Sequence, residues 1–176
     1  MPVRLRADAR VTLIVGGARS GKSRLAERLA EQREGPLTYL ATAEAWDDEM
    51  RARIMQHRAR RGDRWQTVEA PIAVADALQT LPPRIGAVLV DCLTLWLSNL
   101  MHANRDVEQE TERLLAVLPT SACPVIMVSN EVGLGIVPDN KLARDFRDRQ
   151  GRLNQRIAEL ADHVIFTAVG LPLVLK

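Results

Sequence analysis

The sequence predicts a single α/β domain in which helices cover both faces of a mostly parallel sheet. The chain has 176 residues, which is enough for one complete core and too few for two ordinary domains. Apolar runs of strand length alternate with segments of helical periodicity along most of it. Such alternation implies right-handed crossovers between parallel strands, with helices packed on each face. We expect the domain to span residues 11–176, after an N-terminal extension of residues 1–10.

Strands and helices alternate strictly in the first half of the chain. Residues 11–15 are apolar and β-branched, as in a buried strand, and a glycine-rich turn follows them. A helix predicted over 47–61 has Asp47 as its N-cap and acidic residues in its first turn. The predicted strands are 11–15, 37–42 and 65–69, and the predicted helices are 24–32, 47–61 and 72–81.

The second half begins with the strongest strand signal. A nearly continuous apolar run at 87–91 predicts a central strand, because both faces of such a strand are covered. Helices are expected over 93–101 and 107–118, and another buried strand over 124–128. A glycine-containing loop then leads to a long helix over 142–161, and strands over 163–168 and 173–175 complete the sheet.

The turn between the first strand and the first helix matches the pattern G-x-x-x-x-G-K-[ST]. Its residues are Gly16, Gly17, Ala18, Arg19, Ser20, Gly21, Lys22 and Ser23. Glycine allows backbone amides to surround an anion, and the helix N-terminus directs its dipole to the same point. We expect Lys22 to reach the β- and γ-phosphates and Ser23 to ligate Mg²⁺. The predicted fold is therefore a P-loop NTPase-like domain that binds a nucleoside triphosphate.

The composition excludes several other classes of protein. Lys and Arg number 24 against 22 Asp and Glu, a net charge of +2, which argues against a nucleic-acid binder. Aromatic residues make up only 3% of the chain, too few for a stacking platform. The two cysteines, Cys92 and Cys123, have no metal-ligand spacing and are expected to be buried free thiols. No segment resembles a secretory signal or a membrane span, so we expect a cytoplasmic protein.

Asp91 is the candidate second ligand of the metal, because it ends an apolar strand. The alternative is that it only caps the helix that follows. A switch GTPase is disfavoured, since Asn140 and Lys141 are not followed by the aspartate of a guanine-reading signature, and the segment after Asp91 lacks the switch glycine. A transferase acting on a small molecule is the leading class.

Three blocks of sequence together resemble the bifunctional adenosylcobinamide kinase/adenosylcobinamide-phosphate guanylyltransferases of cobalamin biosynthesis. The first is the phosphate loop, with its inner Ala18-Arg19-Ser20. The second includes YLATA at 39–43, DDEM at 47–50 and HR at 57–58, and ends at Trp65 and Glu69. The third is SNEVGLGIVP at 129–138, continued by RDFRD at 144–148, Gly151 and NQ at 154–155. The resemblance extends from residue 11 to the end of the chain.

This resemblance implies two reactions on one corrinoid. The family phosphorylates the aminopropanol hydroxyl of adenosylcobinamide with ATP or GTP. It then transfers GMP from GTP to adenosylcobinamide phosphate through a GMP-histidine intermediate, giving adenosylcobinamide-GDP and pyrophosphate. The histidine matched here is His57, and the position of Asp91 is often glutamate in the family. The resemblance also implies a homotrimer as the assembly.

His57 can also be weighed by its chemistry. Its imidazole is nucleophilic near neutral pH, and the arginines that follow suit an α-phosphate or a leaving pyrophosphate. The alternative is that His57 is a packed or solvated residue and that these arginines form a solvated face of the helix. By the resemblance, the further nucleotide contacts are Arg58, Ala59, Arg60, Arg61, Ala41, Thr42, Ala43 and Glu69. Glu69 can accept hydrogen bonds from a guanine or ribose edge, or be a surface charge.

Two other functions stay open from the sequence alone. The first is a small-molecule kinase that has the phosphate loop and lacks the guanylyl step. The second is a nucleotide-gated binding protein without transfer chemistry. Asn130 and Glu131 lie where loops after parallel strands form a ligand crevice, although the sequence does not say what they contact.

Overall fold

The computed structural model describes residues 8–44, 61–82 and 84–176. These form a seven-stranded sheet in the order β3-β2-β4-β5-β1-β6-β7. All neighbouring strands are parallel except β6 and β7, which are antiparallel. The strands are β1 (Val11–Gly16), β2 (Leu37–Ala41), β3 (Trp65–Glu69), β4 (Ala87–Asp91), β5 (Val125–Asn130), β6 (His163–Ala168) and β7 (Leu171–Val174). The predicted mostly parallel sheet is confirmed.

The helices of the described ranges match the predicted ones within two residues at each end. They are α1 (Lys22–Ala30), α2 (Val74–Gln79), α3 (Leu93–His102), α4 (Val107–Val117) and α5 (Lys141–Leu160). Polar side chains cap two of them, because Asp106 accepts from two amides at the start of α4 and Asn140 from one at the start of α5. Apart from Arg61, the helix predicted over 47–61 lies outside the described residues.

The helices pack on both faces of the sheet, as predicted. Side chains alternate along β1, so Ile14 packs with α1 on one face, while Leu13 and Val15 join the larger core on the other. The larger core contains Trp96 of α3, which is 1% exposed and donates its indole N–H to the Ile72 carbonyl. Among the described helices, none is long and apolar enough to cross a membrane.

The parallel register brings the carboxyl ends of six strands to one edge. Gly16 of β1 pairs with Asn130 of β5, and Ala41 of β2 pairs with both Asp91 of β4 and Glu69 of β3. Crevices at this edge of an α/β sheet are the usual place for a ligand. The site is therefore built at the carboxyl edge.

Candidate nucleotide-binding site

The phosphate loop connects β1 to α1, and two of its glycines are required by geometry. A Cβ at Gly16 would lie 2.3 Å from the Thr167 carbonyl oxygen of β6, so no larger residue fits. Gly21 has φ +95°, a left-handed conformation that glycine adopts without strain. Gly21 immediately precedes α1, whose first turn contains no acidic side chain. The loop therefore ends on a helix N-terminus suited to an anion.

Lys22 and Ser20 contribute buried polar side chains within the loop itself. The Lys22 ammonium donates to the Gly17 carbonyl at 2.5 Å, and the residue is only 7% exposed. Ser20 Oγ is buried and has no hydrogen-bond partner among the residues described. The loop is anchored from both sides, since Glu131 N–H donates to the Gly16 carbonyl and Gly170 N–H to the Ser20 carbonyl, each at 3.0 Å. The loop thus combines a backbone held by hydrogen bonds with one buried ammonium and one buried hydroxyl.

Asp91 and Ser23 supply oxygen donors that fit Mg²⁺. Ala87, Leu89 and Asp91 are alternate residues of β4, so their side chains lie on the same face of the sheet. Ala87 and Leu89 pack in the core beneath α1, and Asp91 therefore lies on the face that α1 covers. Ser23 is in the first turn of α1. Mg²⁺ prefers such hard oxygen ligands and completes its shell with water and substrate phosphates. No cluster of three or more His, Cys, Asp or Glu suited to a metal occurs in the described ranges.

Tyr39 is a residue of this site that sequence reasoning did not assign. Its hydroxyl donates to Asp91 Oδ2 at 3.1 Å, and the Arg61 guanidinium lies 3.6 Å from its ring centroid. Burial and the adjacent Asp91 carboxylate raise the pKa of Tyr39 above its usual range, although Arg61 opposes the shift. The phenol therefore stays protonated and remains a donor. The only sequence signal was its place in YLATA, two residues before Ala41.

Thr42 joins the ends of β2 and β4. Its hydroxyl donates to the Cys92 carbonyl and accepts from the Cys92 amide, both at 2.7 Å, and Asn99 donates to its carbonyl at 2.7 Å. Thr42 is fully buried, whereas Ala41 and Ala43 are half-buried. The exposed surface of this predicted contact segment therefore belongs to the two alanines.

A second set of hydrogen bonds fixes the end of β5. The Thr94 hydroxyl accepts from the Asn130 amide at 2.8 Å, and the Asn154 amide group donates to the Asn130 carbonyl at 3.1 Å. Gln150 of α5 donates to Ser129 Oγ at 2.9 Å and to Asn154 Oδ1 at 3.0 Å. Both backbone groups of Asn130 are thus held by side chains, and this fixes where the loop after β5 begins.

The remaining predicted site residues are Glu69 and those that fall outside the described ranges. His57, Arg58, Ala59 and Arg60 lie outside the described residues. Glu69 is exposed at the end of β3, the outer strand, four strands from β1, or about 19 Å at the usual strand spacing. Glu69 is therefore well separated from the phosphate loop. Cys92 and Cys123 are buried and free, as predicted.

Comparisons with known proteins agree with these features. The family model described as cobinamide kinase / cobinamide phosphate guanyltransferase matches residues 12–175. The bifunctional adenosylcobalamin biosynthesis protein CobP of Pseudomonas aeruginosa is 49% identical over 166 residues, covering 93% of this chain and 96% of its own. The proteins named bifunctional adenosylcobalamin biosynthesis protein CobU from Salmonella typhimurium and Escherichia coli are 38% and 37% identical, each covering 93% of this chain and 98% of its own. The resemblance found in the sequence is confirmed: this chain belongs to the cobinamide kinase/cobinamide phosphate guanyltransferase family.

Proposed function

We propose that this protein phosphorylates adenosylcobinamide with ATP or GTP and then transfers GMP from GTP to the product. The final products are adenosylcobinamide-GDP and pyrophosphate. The observation that supports this most is the family match over residues 12–175, which includes a phosphate loop folded on a helix N-terminus. The proposed partners are therefore the two corrinoids and the nucleotides, and we place the reactions in the cytoplasm.

The phosphate loop is proposed to perform the kinase step. Its backbone and the α1 N-terminus bind the β- and γ-phosphates, and Lys22 neutralises charge that accumulates on them during transfer. Ser23 and Asp91 would hold Mg²⁺, which when bound neutralises phosphate charge. The substrate hydroxyl attacks the γ-phosphorus and releases its proton to solvent, the bond to the β-phosphate oxygen breaks, and the nucleoside diphosphate leaves.

His57 is proposed to perform the guanylyl step. An imidazole nitrogen attacks the α-phosphorus of GTP, the α–β phosphoanhydride breaks, and pyrophosphate leaves. The phosphate of adenosylcobinamide phosphate then attacks the same phosphorus, which breaks the phosphorus–nitrogen bond and restores the histidine. Arginine forks suit the α-phosphate and pyrophosphate oxygens, a role proposed for Arg58, Arg60 and Arg61.

The remaining nucleotide contacts are proposed away from the phosphates. Ala41, Thr42, Ala43 and Ala59 are assigned to nucleotide contact by the resemblance, with Thr42 acting by holding the two strand ends. Glu69 is assigned to a guanine or ribose edge, in agreement with its separation from the phosphate loop. We also propose a homotrimer, as the family resemblance implies.

A His57→Ala variant tests the two-reaction proposal. Phosphoryl transfer needs positioning and charge neutralisation and no protein nucleophile, whereas two-step guanylyl transfer needs the nucleophile itself. We expect the variant to make adenosylcobinamide phosphate and almost no adenosylcobinamide-GDP, measured by chromatography of the corrinoid products. Wild-type protein given α-labelled GTP should retain label that acid removes and alkali spares.

The matched control is His102→Ala. His102 is exposed near the end of α3, where its ring Nδ1 lies 2.8 Å from the Ser98 carbonyl oxygen, and we expect it to retain both activities and the label. Label that persists in His57→Ala contradicts the assignment of His57. A wild-type protein that phosphorylates the corrinoid and never binds GMP covalently would support the single-activity kinase instead.

A further inference from the structure

We infer that Tyr39 is a positioning residue that holds Asp91 through its hydroxyl and Arg61 through its ring face. One buried side chain would thereby orient two residues that serve different parts of the nucleotide. The inference rests on the proposed function, because it takes Asp91 as a metal ligand and Arg61 as a nucleotide contact.

The hydroxyl arm follows from the register of two parallel strands. Tyr39 of β2 pairs with Leu89 of β4, so Asp91 lies two residues further along β4 on the same face. That diagonal spacing suits a long side chain, and the hydroxyl reaches Asp91 Oδ2 at 3.1 Å. The bond occupies one carboxylate oxygen and orients the other. Tyr39 is 7% exposed, so water competes poorly for this bond.

The ring arm depends on a fixed aromatic plane. The Tyr39 and Trp65 rings pack in a T-shaped arrangement, with centroids 6.5 Å apart and an interplanar angle of 73°. Arg61 lies over a face of the Tyr39 ring, with its guanidinium carbon 3.6 Å from the centroid. Arg61 is further steadied by Thr67 Oγ1, 3.5 Å from its Nη1. Stacking uses the face of a guanidinium, and the N–H fork in its plane keeps the geometry that binds an oxyanion.

The two arms can be separated by two substitutions at one position. Tyr39→Phe removes the hydroxyl and keeps the ring, so it should raise the Mg²⁺ concentration for half-maximal kinase activity about tenfold. Its KM for GTP at saturating Mg²⁺ should stay at the wild-type value. Tyr39→Leu removes both arms and should show the same Mg²⁺ effect plus a rise of about fivefold in KM for GTP in the guanylyl step.

A double-mutant cycle with Arg61→Met tests the ring arm directly. Arg61→Met keeps an unbranched chain close in length to the aliphatic part of arginine and removes the guanidinium with its charge. The effect of Arg61→Met on KM for GTP should be the same in the Tyr39→Phe background as in the wild type. It should largely disappear in the Tyr39→Leu background, because Arg61 is no longer positioned in that variant. Trp65→Phe is the packing control: it touches the same ring and should leave the Mg²⁺ dependence unchanged.

Each outcome bears on a stated part of the inference. If Asp91→Asn raises the Mg²⁺ requirement and Tyr39→Phe does not, the hydroxyl arm is overturned while the proposed function stands. If Asp91→Asn has no effect on Mg²⁺ dependence, the metal assignment fails, and the hydroxyl arm fails with it. Additivity of Arg61→Met with Tyr39→Leu overturns the ring arm. Because Tyr39→Phe is nearly isosteric, it provides the test even if Tyr39→Leu does not fold.

Discussion

At the scale of single residues, the site is defined by charged side chains that are buried or half-buried and hydrogen-bonded to neighbouring groups of the protein. The Lys22 ammonium lies at 2.5 Å from the carbonyl of Gly17, a residue of its own loop, and is almost completely buried. Asp91 is half-buried and receives a hydrogen bond from Tyr39. Charges placed in this way need little reorganisation when phosphate arrives, which is the condition for strong electrostatic stabilisation of a transferring group.

Lys22→Ala is therefore expected to reduce the kinase rate by at least about a hundredfold, because no other cation is assigned to the β- and γ-phosphates. The measurement is steady-state turnover of adenosylcobinamide with ATP and with GTP. Arg28→Ala serves as the control, since it removes a cation from the last turn of α1, well away from the loop. A Lys22→Ala rate within about tenfold of wild type, a barrier change near 1.4 kcal/mol, would contradict the assignment of this loop.

At the scale of elements, the phosphate loop is packed against neighbouring strands. Gly16 approaches the backbone of β6, Glu131 N–H holds its carbonyl from the end of β5, and Gly170 N–H holds the loop at Ser20. The loop is thus fixed by the strands on both sides of β1 as well as by its own helix. A substitution at the closest contact should disturb the element as a whole.

Gly16→Ala is expected to lower the free energy of unfolding by about 1–3 kcal/mol and to weaken nucleotide binding, because its Cβ would meet the Thr167 carbonyl oxygen at 2.3 Å. The measurements are urea unfolding and titration with GTP. The matched control for stability is Gly17→Ala, since a Cβ there meets no atom within 4 Å. Equal free energies of unfolding for the two variants would show that the close approach of Gly16 to β6 does not restrict the size of the residue at position 16.

At the scale of the whole molecule, the free energy of unfolding should fall at alkaline pH, because a buried thiol and a buried phenol stay protonated in the folded state. Burial raises the pKa of the Cys92 thiol to about 11, and the Asp91 carboxylate adds to the shift. The pKa of Tyr39 is also raised, for the same two causes. Above its unfolded pKa each group ionises more readily in the unfolded chain than in the folded one, so the folded state loses relative stability as the pH rises.

The expected result is a free energy of unfolding that is constant with respect to these groups below pH 9 and falls as the pH rises towards 11. By about pH 10.5, the Cys92 contribution to this loss should amount to about 2 kcal/mol. Urea unfolding at pH 8.0, about 9 and about 10.5 measures it. Cys92→Ala should show a shallower decline than wild type, whatever its absolute stability. Identical slopes for the two proteins would mean that the thiol does not stay protonated in the folded state.

The sequence by itself determined the strands, the described helices, the phosphate loop, the buried cysteines and the family. Each of these depends on local patterns: apolar runs, a glycine turn between a strand and a helix, and residue blocks at fixed spacing. The tertiary structure alone decided that Tyr39 holds Asp91, 52 residues away, that Thr42 holds Cys92, 50 residues away, and that Asn154 holds Asn130. These contacts depend on β2 lying beside β4 and on α5 packing over the end of β5, and strand order and register are set by the packing of the whole core.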